Sequence, residues 1–236
     1  MPSKLSDIET LVRQTPLIET SPSFWSSAEL ISLINLGIKD LWRDIVDLKQ
    51  EHYLTIDDTN VTLPASSAVM VGVPKDVHKV YMIEPRDMSE NGPNHGLLFQ
   101  PRDYNSEAFQ MARSTENLDP SNGIIYYAVH KQGAPVDAPE VRVAPQVTSA
   151  VNITFCYVPT LATLPAGGIV PIPGEADNAL VAWTVAFARA KESESRAPDP
   201  SWLAIYATEK QHLLQSLGLR QYQEPTYVDA LWAGYW

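Results

Sequence analysis

Phe24-Trp25-Ser26-Ser27-Ala28-Glu29-Leu30, continued as ISLINLGIKDLWRDIVDL to Leu48, is the stretch on which the fold turns. Ser26 stands where an N-cap belongs, and Glu29, three residues on, completes the spacing of a capping box. Phe24 and Trp25 precede the cap, where apolar side chains staple the entry of a helix. Leu30, Ile34, Ile38, Leu41, Ile45 and Leu48 then recur at spacings of three and four, with Asn35, Lys39, Arg43, Asp44 and Asp47 on the opposite side. This predicts an amphipathic helix, and its apolar stripe must be buried against other elements.

Working outward, the N-terminal flank predicts a shorter helix. Ser6 and Glu9 again have capping-box spacing, and Leu5, Ile8, Leu11 and Val12 form a stripe. Pro16 and Pro22 interrupt the chain between the two helices. On the other flank the period changes. YLTIDDTNVTL (53–63), VHKVYMIE (77–84), GIIYYAVH (123–130), EVRVAP (140–145) and AVNITFCYVP (150–159) are β-branched or aromatic runs separated by turn residues, as antiparallel strands are. In the last run Val151, Ile153, Phe155 and Tyr157 alternate with Asn152, Thr154 and Cys156, the pattern of a half-buried strand. The excursion over residues 85–122 carries Asn91-Gly92-Pro93 and Asp119-Pro120 turns and room for a short helix near Ser106 to Ser114.

Helical spacing returns after LPAGGIVPIPGE (164–175). Leu180, Trp183, Phe187 and Ala190 mark one face of an alanine-rich helix. Asp199 then caps a further helix with Pro200 in its first turn; Leu203, Tyr206, Leu213 and Leu217 form its stripe and Gly218 its terminator. No helical pair can bury its stripes alone, so the two ends of the chain must share a bundle. The expected fold is α+β: a four-helix bundle-like domain (1–50 and 174–217), an inserted antiparallel β-rich domain (51–173) and an extended C-terminal arm (218–236).

The 236 residues carry 17 Lys and Arg against 28 Asp and Glu, a net charge of −11. That excludes a clamp on duplex phosphates, which needs clustered cations, but not a protein that DNA slides past. The single cysteine, Cys156, excludes a disulfide framework and a multi-cysteine zinc site. MPSKLSDIETLVRQ (1–14) lacks an apolar signal core and no run is long enough to span a membrane, so folding in a cytoplasm is expected.

Signatures of catalysis are missing: there is no phosphate-binding loop, nucleophile elbow or H-E-x-x-H motif. His52, His78, His95, His130 and His212 are scattered singly, so no metal site is assigned. Asp57-Asp58-Thr59-Asn60 reads as a hairpin turn rather than a cation site. Cys156 lies in a strand without a basic neighbour and reads as a packing residue. Glu84, Glu107, Glu140 and Glu175 could pair only through the fold. No catalytic residue and no cofactor is assigned.

The tail is more informative. Tyr222, Tyr227, Leu231, Trp232, Tyr235 and Trp236 crowd the last fifteen residues. Two placements suit them: folded back on their own core, or docked into a partner, where Tyr and Trp are the usual anchors.

Several of these stretches together resemble the head-to-tail adaptor proteins of tailed bacteriophages, particularly short-tailed ones. Phe24-Trp25-Ser26-Ser27-Ala28-Glu29-Leu30 with Leu33-Ile34-Asn35 through Leu41 is similar to the family's aromatic-capped helix. Val61-Thr62-Leu63-Pro64 and Val73-Pro74-Lys75-Asp76-Val77 are similar to its strand and the step after it. Val151 to Pro159 resembles its late strand, and Ile172-Pro173-Gly174-Glu175 its lead into the third helix. The resemblance runs over most of residues 20 to 217 and leaves 85–122 and the tail unmatched.

It implies a structural virion protein and no enzyme. Its subunits would form a homo-oligomeric ring, commonly of twelve, assembled in the host cytoplasm and placed at the head-tail junction. The helical part would meet the portal and the β insertion the distal tail or nozzle protein. DNA would pass the lumen without specific binding, and the arm, with Tyr222, Tyr227, Leu231, Trp232, Tyr235 and Trp236, would dock on the portal. Two rival readings remain open on the residues alone: a tail-associated peptidoglycan-cleaving enzyme using a glutamate pair, and a glycan-binding β module with a helical anchor.

Overall fold

The Ser26 capping box closes as its spacing requires. In the computed structural model, which describes residues 3–14, 24–48, 53–86, 96–115, 117–118, 122–130, 139–192 and 197–220, the Ser26 N–H donates to Glu29 Oε2 at 2.8 Å. The Glu29 N–H donates back to Ser26 Oγ at 3.3 Å. Helix α2 (Ser27–Leu48) starts there. Trp25 is buried and its Nε1 donates to Ala188 O at 3.1 Å, while Phe24 stands edge-on to it at 4.7 Å.

The chain divides into two compact units, one of Met1–Lys49 with Leu161–Trp236 and one of Gln50–Thr160. The first is helical: α1 (Leu5–Gln14), α2, a 3-10 turn (Gly174–Ala176), α4 (Asp177–Glu192) and α5 (Pro200–Arg220). Helix α4 packs against α1, α2 and α5. It is therefore not the one-faced helix its Leu180–Trp183–Phe187–Ala190 spacing predicts. Ala179, Leu180, Ala182, Thr184, Val185, Ala186 and Ala188 are all buried, because small residues let three neighbours approach.

Four further expectations are not met. The Ser6–Glu9 box does not form: α1 begins two residues earlier, at Leu5, the Lys4 N–H donates to Asp7 Oδ2 at 3.0 Å, and Glu9 pairs instead with Arg13 at 2.9 Å. Leu11, expected in the stripe, is exposed. Asn35, expected on the solvent side of α2, is buried. Its Nδ2 donates to Ile31 O and Leu164 O at 3.0 and 3.1 Å, and its Oδ1 accepts from the Leu164 N–H at 2.9 Å. That pair ties the Pro-rich segment after Thr160 to α2. Leu5 N–H to Gly168 O and Val170 N–H to Ser3 O, both 3.0 Å, tie it to the start of the chain. Asp199 caps α5 as expected, its Oδ1 accepting from the Ser201 N–H at 2.9 Å. Gly218 does not end that helix, which runs through it to Arg220.

Gly37 marks the closest approach of α2 and α4. A Cβ there would lie 2.7 Å from Trp183 Cδ1, and the Trp183 ring is held by Phe187 at 4.5 Å and Tyr206 at 5.0 Å. Helix propensity favours alanine by about 1 kcal/mol, whereas forcing a methyl into a packed contact costs about 1–3 kcal/mol. Gly37→Ala is therefore expected to lower stability by roughly 1 kcal/mol, read as a lower urea midpoint; a raised midpoint would show that the tryptophan yields.

The second unit holds β1 (Thr55–Asp57), β2 (Thr62–Leu63), β3 (Val77–Pro85), β4 (Gly96–Pro101), α3 (Glu107–Arg113), β5 (Asn122–His130), β6 (Glu140–Ala144) and β7 (Val151–Pro159). β7 is central, with β1 and β2 along one edge and β3 along the other, all antiparallel. Its inward alternation holds to Phe155; Cys156, Tyr157 and Val158 are buried in succession because the strand is covered on both sides. β4, β5 and β6 form a second sheet. There β4 runs parallel to β5, so the block is mixed rather than wholly antiparallel. Parallel neighbours require a crossover of a dozen or so residues, and α3 lies in it. Ser106 caps α3, accepting from the Phe109 N–H at 3.4 Å, and Ser114 closes it. Phe109 and Ala112 bury against Ala128 and Ala144. The main core is Val61, Leu63, Ile83, Leu97, Ile125, Val141, Ile153 and Phe155 with their neighbours.

Candidate functional site

Two concave surfaces stand out, one on each unit. On the helical unit a groove of about 700 Å³ runs between the end of α2 at Leu48 and the exposed flank of α5, where Ala207, Gln211, Leu214 and Gly218 line it. Tyr206 and Lys210, which also line it, belong to a polar cluster built by two helical i,i+4 pairs. Lys210 Nζ lies 2.7 Å from Asp40 Oδ2 and 2.5 Å from Asp44 Oδ2, and the Tyr206 hydroxyl donates to Asp40 Oδ2 at 2.5 Å.

Burial would raise Asp40, but the hydrogen bonds from Lys210 and Tyr206 outweigh it and hold the carboxyl below its ordinary 3.8. Burial would likewise lower Lys210, and the bonds to Asp40 and Asp44 hold it above its ordinary 10.5. Tyr206 is pushed well up by burial and then by Asp40. The stability Asp40 brings is thus present above its unfolded pKa and lost as pH falls through its lower folded value. That of Lys210 is present below its unfolded pKa and lost as pH rises through its folded one. Melting temperature is expected to hold from about pH 5 to 9 and to fall on the acid side, with Asp40→Asn flattening that fall. An acid limb identical in the variant would contradict this role. At the start of α2, hydrogen bonds from Lys191 and then Ser26 lower Glu29 to about 2. Lys191 Nζ also donates to Phe24 O at 2.9 Å and lies 5.0 Å from the centre of the Phe24 ring.

On the β unit a cleft of about 650 Å³ opens where β4 ends. His78, Lys79 and Val80 of β3 form one wall and Pro101, Arg102, Asp103 and Ser106 the other, with Tyr127 and Val129 of β5 between them. Below it Tyr104 gathers several elements. Its ring meets Phe109 at 5.3 Å and His130 edge-on at 4.7 Å, and its hydroxyl accepts from Arg142 at 3.0 Å and Arg113 at 3.2 Å.

The candidate docking residues Tyr222, Tyr227, Leu231, Trp232, Tyr235 and Trp236 lie outside the described residues. Of the acidic candidates, Glu140 pairs with Arg142 and Glu175 accepts from Ser216 at 3.1 Å, each in a different unit. Asp57 makes a local turn, its Oδ1 accepting the N–H groups of Thr59 and Asn60 at 3.0 Å, but not the expected hairpin: β1 and β2 both pair with β7 and not with each other. Cys156 is buried, and burial followed by the Glu84 carboxylate pushes its thiol up. Among the described residues no group of three His, Cys, Asp or Glu could hold a metal ion, and no helix is long and apolar enough to cross a membrane.

These elements leave one concave surface on each unit. The chain matches the SU10 adaptor protein family over residues 3–229, and it belongs to that family. It is a bacteriophage adaptor, a structural protein of the head-tail junction that associates with other head and tail proteins. The match spans the 85–122 excursion and most of the tail, both left unmatched by the motifs. A comparison with curated proteins finds no match.

Proposed function

We propose that the chain forms a homo-oligomeric ring, commonly of twelve subunits in such adaptors, that joins the portal to the tail and surrounds the DNA channel. The family match over residues 3–229 carries this reading. The helical unit, acting as a four-helix bundle, packs side by side with its neighbours and meets the portal. Exposed apolar side chains on it, Phe24, Leu36 and Ile205 among them, give such lateral contacts something to bury. The arm beyond α5 docks on the portal through Tyr222, Tyr227, Leu231, Trp232, Tyr235 and Trp236, and the β unit receives the distal tail or nozzle protein. With a net charge of −11, the lumen repels DNA and lets it pass without specific binding. Assembly takes place in the host cytoplasm, and the role is structural rather than catalytic.

The test is genetic. Phage carrying a stop codon early in this gene should accumulate DNA-filled heads without tails, rescued by the full chain supplied in trans. Fully tailed, infectious particles from the same mutant would overturn the reading.

A further inference from the structure

β4 stops at Pro101, while its neighbour β5 continues to His130. The last bond between them on that side is from the Arg102 N–H to Tyr127 O, 2.9 Å. Beyond it, the direction of the β5 backbone can be worked out from β6. Tyr127 stands opposite Val143, and Val129 opposite Val141. Both β6 residues turn their main-chain groups the other way: the Val143 N–H donates to Ala68 O at 2.9 Å, and Val141 O accepts from the Met70 N–H at 3.0 Å. They are thus non-hydrogen-bonded pairs of an antiparallel ladder. The N–H and C=O of Val129 therefore point away from β6, to the side that β4 has left. Val129 is 41% exposed and lines the cleft of about 650 Å³ there.

The cleft is also cationic in a chain whose net charge is −11: Lys79 and Arg102 line it, with His78, against the single carboxylate of Asp103. An open strand edge recognises another main chain, and charged walls select the side chains it carries. We propose that an extended acidic segment of the tail component adds here as a short strand on β5, taking up the path that β4 leaves at Pro101. This rests on the reading that the β unit receives the next tail protein.

The test has two arms. In solution, the full chain is titrated with a short capped peptide alternating valine and glutamate, and with its lysine counterpart. The acidic peptide should bind about tenfold more tightly, slow amide exchange at Val129, and lose about tenfold in affinity with Lys79→Glu plus Arg102→Glu, two exposed substitutions that leave the core alone. Equal binding of the lysine peptide, protection elsewhere, no binding, or equal binding of a duplex oligonucleotide would overturn the inference. In phage, the same double variant should give particles that keep the adaptor on the portal but lack the distal tail. Normal tails on the variant would overturn this inference alone, whereas a wild-type adaptor absent from the junction would overturn the proposed function.

Discussion

Replacing Phe155 with alanine is expected to cost about 3–5 kcal/mol, the largest loss of stability from any one side chain of the β unit. Phe155 is fully buried on β7, the strand that joins β1, β2 and β3, and its ring lies 5.6 Å from that of Tyr157. Truncation removes both the transfer energy and the contacts around the cavity, and a central strand has little room to collapse. Against a typical domain stability of about 5–15 kcal/mol, that is a large fraction. The measurement can be made unit-specific. The β unit, residues 50–160, contains no tryptophan, so an unfolding step seen by far-UV circular dichroism but not by tryptophan fluorescence belongs to it. The urea midpoint of that step should fall sharply. A midpoint within experimental error of the parent would mean that β7 is not the centre of that core.

The second large effect is expected at the arm. Buried interface tryptophans commonly cost about 2 kcal/mol or more on truncation, roughly thirtyfold in affinity each. Trp232→Ala with Trp236→Ala should therefore weaken association with the portal by hundreds-fold, and ending the chain after Arg220 should abolish it. Melting temperature should stay put in both cases. This outcome separates the two placements that suit an aromatic tail. If the arm instead packs on its own helical unit, the same variants lose thermal stability and keep their portal affinity.

Features set by neighbours in sequence were legible before the fold. The Ser26–Glu29 box, the Asp199–Pro200 start of α5 and the Asp57 turn each depend on residues within three positions, and each is found. Features set by the fold were not. β4 reads as loop because GLLFQP is short, follows Asn and Gly, and pairs in parallel only after a crossover. Asn35 reads as solvent-facing because nothing near it in sequence reveals Leu164 as its partner. Gly218 reads as a terminator, yet α5 continues past it. The Asp40–Tyr206–Lys210 cluster joins positions far apart in the chain, although Asp40 with Asp44 and Tyr206 with Lys210 each share the i,i+4 spacing that places two side chains on one face. The cleft at Val129 has no sequence signal beyond Pro101, since it arises from one strand outlasting its neighbour.

The ring itself is the central claim, and native mass spectrometry of the purified chain, alone and mixed with its portal protein, tests it most directly. The expected result is a portal-bound species carrying a closed set of adaptor subunits, commonly twelve, whether or not a ring exists before mixing. A chain that stays monomeric and unbound with the portal present would contradict it.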